Sequence, residues 1–279
     1  MIVVAIVLLG LCFGSFINAL VWRVHEQAKE GDKKKPSKQY LKSLSVMHGR
    51  SMCPDCKHQL HTKDLLPVVS WASTRGRCRY CKKPISLQYP IVELSTVLLF
   101  LVSYLYWPSS IVGIEIIVFG LWLAVLTGLI ALAVYDLRWM LLPNKILFPL
   151  FIPAGIIAVI RIVQHDKPST AILMLIFSVL VSGGIFWLLF QLSSGKWIGG
   201  GDVKLGWLIG VLVLMPASSM LVIFIASLLG SLVSVPLLYS KKLARTSVIP
   251  FGPFLIIASI ITVLFGSSIL EYYRRTFLP

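Results

Sequence analysis

Apolar residues come in eight long runs, at 2–22, 91–107, 112–135, 146–163, 171–192, 203–217, 219–239 and 248–267. Each reads as a membrane-crossing helix, for which about 20 apolar residues are needed. The runs at 91–107, 146–163 and 203–217 are short. A short run bounded by Pro or Gly can tilt, or break where it lines a cavity, and the run behind Asp202 is the best candidate for that. One long polar segment, 23–90, interrupts the pattern. The first run has no basic residues ahead of it and is too long for a signal-peptide core, so it is expected to stay as the first helix. Small residues within the runs, such as Gly183, Gly184, Gly206, Gly210, Ser227, Gly230, Ser231 and Ser234, would let helices approach closely.

Composition agrees with this pattern. The 279 residues are 57% hydrophobic and 13% charged, against about 45–50% and about 25% in soluble domains. The expected fold class is an all-α polytopic membrane protein of about eight transmembrane helices. Its net charge of +15 could suggest nucleic-acid binding. The basic residues sit in loops beside apolar runs, however, which assigns them to orientation and to contact with anionic membrane lipids, with no nucleic-acid partner expected. Segment 23–90 holds 15 of them, and with 136–145, 193–204 and 240–247 the same side collects 22 of 26. That asymmetry places 23–90 in the cytoplasm and both termini outside. The expected organisation is a first transmembrane helix at 1–22, a cytoplasmic module at 23–90 and seven helices in 91–279.

Within 23–90 the character changes along the chain. The part through Arg50, with Lys33, Lys34, Lys35 and Pro36, has little apolar content and reads as a solvated, partly flexible loop against lipid headgroups. Beyond it, Cys53, Cys56, Cys78 and Cys81 form two C-x-x-C pairs around an expected apolar centre of Leu65, Leu66, Pro67, Val68, Val69 and Trp71. Two such pairs in a short polar segment point to zinc, because four thiolates complete a closed tetrahedral shell. With no open position, such a site is structural. Lys57, Arg77, Arg79, Lys82 and Lys83 would offset the thiolate charge. Redox or disulfide roles fit the reducing cytoplasm less well. His58 and His61 read as surface residues, and Cys12 as inert packing.

Two aspartates stand out at run ends: Asp136 closes the third and Asp202, after Gly199, Gly200 and Gly201, opens the sixth. An acidic group at the edge of hydrocarbon costs several kcal/mol unless it is paired, neutralised or facing water. Each alone has an ordinary explanation, a helix-terminal charge for Asp136 and an N-cap for Asp202. Both fall on the cytoplasmic side, however, which favours a shared hydrolytic site. One carboxylate would take a proton from a water between them, and the other, protonated, would donate to the carbonyl under attack. The glycines would let an extended substrate backbone approach, and Lys204 would pair with Asp202, contact substrate or remain solvated. Pro143 and Asn144 read as a turn into the fourth run. Glu93 and Glu115, near run starts, read as anchoring or pairing groups. An ion-coupled transporter is the competing class, but no repeat of two halves is visible.

Several segments resemble a known family along nearly the whole chain. They are Gly14-Ser15-Phe16-Ile17-Asn18, Trp22-Arg23, Cys53-Pro54-Asp55-Cys56, Leu66-Pro67-Val68-Val69-Ser70-Trp71, Arg75-Gly76-Arg77-Cys78-Arg79-Tyr80-Cys81 and Tyr89-Pro90-Ile91-Val92-Glu93-Leu94. To these add Asp136 with Leu142-Pro143-Asn144, the G-x-G-D signature at Gly199, Gly201 and Asp202, and Pro250-Phe251-Gly252-Pro253-Phe254. This set is similar to the bacterial prepilin leader peptidases of type IV pilus, type II secretion and competence systems. The resemblance implies a multi-pass enzyme of the bacterial inner or plasma membrane. It would be an aspartic endopeptidase that removes the basic leader of prepilins and pilin-like precursors after a glycine, on the cytoplasmic side. It implies Asp136 and Asp202 as the catalytic pair, with Gly199, Gly200, Gly201, Lys204 and Pro143 in the active-site loops. It also implies zinc on Cys53, Cys56, Cys78 and Cys81. Forms with the cysteine module usually also N-methylate the new amino terminus with S-adenosylmethionine, for which no pocket is evident in 23–90. Another G-x-G-D protease, acting on signal peptides, is the alternative within this resemblance.

Overall fold

The computed structural model describes residues 1–33, 35, 37–46, 48–239 and 249–277. Lys34 and Pro36 of the basic tract, and the basic loop 240–247, lie outside the described residues. Among the described residues there is no strand, only two isolated bridges, Met52 with Gln59 and Arg77 with Pro84. The chain forms two compact units, Met1–Leu105 and Tyr106–Pro279.

In the first unit, α1 (Ile2–Gly31) packs along α4 (Gln88–Leu105), with Ile17 and Phe100 fully enclosed. Helix α1 runs well past the end of its apolar run at 22. Two short helices, α2 (Lys38–Ser43) and α3 (Val69–Ser73), lie between them in sequence. The basic stretch expected to be solvated is ordered in part, because buried polar groups must find partners. The Arg23 guanidinium, buried on α1, donates to the carbonyls of Ser45 (3.1 Å), Val46 (3.2 Å) and Gly49 (2.8 Å). Gln27 holds the Leu44 carbonyl, and the Leu44 side chain is fully buried.

The second unit holds α5 (Ile114–Trp139), α6 (Asn144–Leu147), α7 (Phe151–Val163), α8 (Pro168–Val179), α9 (Ile185–Ser193), α10 (Gly200–Val213), α11 (Pro216–Tyr239) and α12 (Gly252–Phe277). Among the described residues, seven helical stretches of the chain are long and apolar enough to cross a membrane. The run expected at 203–217 is the exception: α10 has 14 residues. At 1.5 Å per residue it spans about 21 Å, short of a hydrocarbon core of about 30 Å. Leu214 in the left-handed conformation ends α10, and Pro216 starts α11.

Helix α5 is the most enclosed of the long helices, with Trp122, Leu126, Leu129 and Leu132 fully buried against α7 and α12. Helix α10 is seated against α7, α8 and the π-helical turn Leu180–Gly184 that joins α8 to α9. There Ser178 Oγ donates to the Gly210 carbonyl at 2.9 Å and Ser182 Oγ to the Gly206 carbonyl at 2.8 Å. These bonds pin a helix too short to be held by burial of its length alone. The acid of α5's first turn, Glu115, takes Arg161 of α7 and the Trp107 indole N–H (3.2 Å), the pairing role expected of it.

Candidate active site

Asp136 lies in the last turn of α5, which Met140 closes in the left-handed conformation by donating its N–H to the Asp136 carbonyl (2.8 Å). The Asp136 side chain is buried, 5% exposed, and accepts a hydrogen bond from the Gly252 N–H at the start of α12. A Cβ added at Gly252 would lie 2.6 Å from Asp136 Oδ2, so only glycine lets α12 come this close. Gly252 is a neighbour of Asp136 that reading the sequence did not assign to the site. The motif Pro250-Phe251-Gly252-Pro253-Phe254 was visible, but nothing local in it names Asp136 as its partner.

Asp202 sits in the first turn of α10, where Gly199 is the N-cap, with extended backbone angles of φ −73° and ψ 148°. The aspartate is therefore the third helical residue and not the cap. Its carboxylate accepts from the Gly199 backbone N–H, the reach-back half of a capping box. Asp136 and Asp202 are close enough for their carboxylates to repel each other. Leu142 lies between their supports, within 3.0 Å of a Cβ built on Gly201 and 3.6 Å of one built on Gly252. The fold thus brings together two aspartates 66 positions apart in sequence.

The other expected site residues divide. Gly201 is small because Leu142 packs on it, whereas a Cβ at Gly200 would meet only Phe190, at 3.7 Å. Pro143, the N-cap of α6, aims the chain into Asn144. Lys204 does not pair with Asp202. Its Nζ donates to Asn144 Oδ1 at 3.0 Å and lies over the Phe148 ring, tying α10 to the turn after Asp136. Two carboxylates held at the ends of two helices, with a polar clip beside them, can share a proton and activate a water between them.

The cysteines of the first unit form a second constellation. Each pair makes the same knuckle. Lys57 N–H donates to Cys53 O and Lys82 N–H to Cys78 O. Cys53 N–H in turn donates to His58 O and Cys78 N–H to Lys83 O. Lys57 and Lys82 both take the left-handed conformation this turn requires (φ 58° and 59°). The four sulfurs all lie within 4.8 Å of one another, and Cys53 Sγ is 3.9 Å from Cys81 Sγ. Four sulfurs at about 2.3 Å from a zinc ion would stand about 3.8 Å apart, so this donor set could hold one. Burial pushes the Cys53 thiol up to about 12. Burial acts upward at Cys78 too, but hydrogen bonds from the Cys81 and Tyr80 backbone and from neighbouring thiols bring it down to about 7. Lys83 bridges the knuckles to Asp55 at 2.9 Å, and Arg79 bonds Asp64 at 2.8 Å. His58 and His61 are exposed, and His58 stacks on Tyr80 with ring centroids 3.7 Å apart. The apolar centre expected between the pairs is only partly formed. Trp71 bonds the Ile85 carbonyl (3.2 Å) and packs against Gly76, but Leu65, Leu66 and Val69 face outward.

Most of the chain matches known sequences. Residues 8–107 match the model of the bacterial peptidase A24 N-terminal domain, and residues 123–235 that of the type IV leader peptidase family. A prepilin leader peptidase/N-methyltransferase of Aeromonas hydrophila is 30% identical, covering 97% of this chain and 93% of its own. The protein of the same description from Pseudomonas aeruginosa is 31% identical (98% and 93%), and that of Bacillus subtilis 31% (83% and 88%). No solved structure matches. The chain is a member of the type IV leader peptidase family.

Proposed function

We propose that the protein is an aspartic endopeptidase that removes the leader from type IV prepilins or pilin-like precursors, with Asp136 and Asp202 as its acid–base pair. The observation that carries this reading is the meeting of the two carboxylates at the ends of α5 and α10, each held by a glycine N–H, Gly252 and Gly199. Two carboxylates near enough to repel each other favour sharing one proton over both ionising. The ionised one takes a proton from the attacking water as its oxygen bonds the scissile carbonyl carbon. The protonated one donates to the carbonyl oxygen as it gains charge, and proton return to the amine releases the new amino terminus. The near-open Gly200 offers space for the substrate backbone at the start of α10. The excess of Lys and Arg on one side of the spans supports placing this pair at the cytoplasmic face of a bacterial membrane, with anionic lipid beside 23–90.

In this reading zinc sits on Cys53, Cys56, Cys78 and Cys81 and braces the first unit, whose size gives it little core of its own. Methylation of the freed amino terminus is the second activity, S-adenosylmethionine supplying the methyl group. The described residues of Met1–Leu105 contain no strand and therefore no glycine-rich strand-to-helix loop of the usual soluble kind, so no step is drawn through that donor.

Mass spectrometry of a co-expressed prepilin tests both activities at once. The expected product lacks its leader and carries the mass of one added methyl group. An intact leader would overturn the peptidase assignment, and a cleaved but unmethylated product the methyltransferase one. A subtler test is Gly252→Ala. The new methyl displaces the Asp136 carboxylate from the Gly252 N–H, so leader removal should fall by about tenfold or more, within the range for a displaced acid–base group. The rate should fall with KM little changed, and an unaltered rate would detach Gly252 from the site.

A further inference from the structure

The outward-facing apolar residues of the first unit are explained by depth. Leu65, Leu66 and Val69 are 39%, 52% and 62% exposed, three apolar side chains within five residues of one loop. Their height is set by a buried carboxylate. Glu93 accepts the Val68 N–H at 2.6 Å and a hydrogen bond from the Ser15 side chain. Glu93 is the third residue of the apolar run that opens at 91, so its Cα lies about 3 Å inside that run. The same turn of α4 packs on Gly14 of α1, where a Cβ would stand 2.6 Å from the Glu93 Cα. Gly14 precedes the end of the first apolar run at 22 by eight residues, about 12 Å along the helix. Both helices therefore put the Glu93 backbone inside their apolar stretches, and Val68 is tied to its side chain.

We propose that the loop Leu65–Val69 re-enters the membrane surface and presents Leu65, Leu66 and Val69 to lipid acyl chains. This does not rest on the peptidase assignment. Irregular backbone at that depth is favoured where its polar groups find partners within the protein, and most of this loop's N–H groups do. Leu65 N–H bonds Thr62 O, Val68 N–H bonds Glu93 and Val69 N–H bonds Pro67 O, while Pro67 has no N–H at all. Val68 adopts φ 60°, a strained conformation for a β-branched residue, and the Glu93 bond holds it there. The same bond supplies the N–H that a carboxylate at this depth requires. Lys63, exposed two residues before Leu65, is placed for lipid phosphate at the headgroup level.

The test places a spin label, through a ketone-bearing amino acid, at position 66 or 69 of the full-length protein in phosphatidylcholine/phosphatidylglycerol vesicles. Exposed His61 serves as the water-facing control. Collision with oxygen relative to a water-soluble nickel chelate should be at least fivefold greater at 66 and 69 than at 61. A ratio equal to that at 61 would put the loop in water, and protection from both reagents would mean a protein partner covers it. Either result overturns the proposal. In a Glu93→Leu background the label at 69 should move toward the value at 61, whereas Glu93→Gln, which keeps an acceptor for Val68, should not. Unchanged depth in Glu93→Leu would overturn the anchoring role of Glu93.

Discussion

Asp136→Asn and Asp202→Asn should each reduce leader removal by at least about a hundredfold, the low end of what a positioned acid or base contributes, while the protein stays folded in the membrane. Asparagine keeps the size of each side chain and an oxygen for the N–H of Gly252 or Gly199, so the helices remain in place. What the proposed mechanism would lose is the single proton that the pair passes between water, carbonyl and leaving amine. Neither remaining aspartate can be base and acid at once with a neutral amide beside it, so the two single variants and the double variant should be about equally inactive. Time courses of leader loss on a purified prepilin, with thermal unfolding as the control for folding, check this. Appreciable cleavage by either single variant would remove the pair from the chemistry. Lys204→Met should act more mildly, because Lys204 contacts Asn144 and not Asp202.

Removing the proposed zinc should give the other large effect. Structural zinc on four thiolates is worth on the order of 10 kcal/mol or more in small modules, so its loss should unfold the segment it braces. Cys78→Ser, or a strong chelator, should lower bound zinc from about one equivalent to well under half and open segment 53–83 to proteolysis. Lys83–Asp55, the ion pair between the two knuckles, is too exposed to hold them together without it. Asp136 and Asp202 belong to the other compact unit, so methylation should fail before cleavage does. Purified protein with well under half an equivalent of zinc, yet resistant to protease across 53–83, would count against a structural metal. Elemental analysis and limited proteolysis of the same sample decide it.

Much of this protein was legible locally. Apolar runs located seven long helices, because a helix that meets lipid or its own bundle on every side must be apolar over its whole length. The paired C-x-x-C spacing marked the four thiols that cluster, because each knuckle is built from its own backbone turns. The motifs around Asp136 and Asp202 marked both acids for the same reason: helix ends and glycine turns are short-range features. The sequence by itself therefore determined the helical class, the cysteine cluster and the candidate acids. Only the tertiary structure decided which groups meet. Gly252 against Asp136, Lys204 on Asn144, Leu142 between Gly201 and Gly252, and Glu93 beneath Val68 all join residues distant in the chain. It also shortened the sixth run to α10 and turned Leu65, Leu66 and Val69 outward. Hydropathy records what a side chain avoids but not which neighbour satisfies it, and that choice is made when helices pack and buried polar groups take the partners within reach.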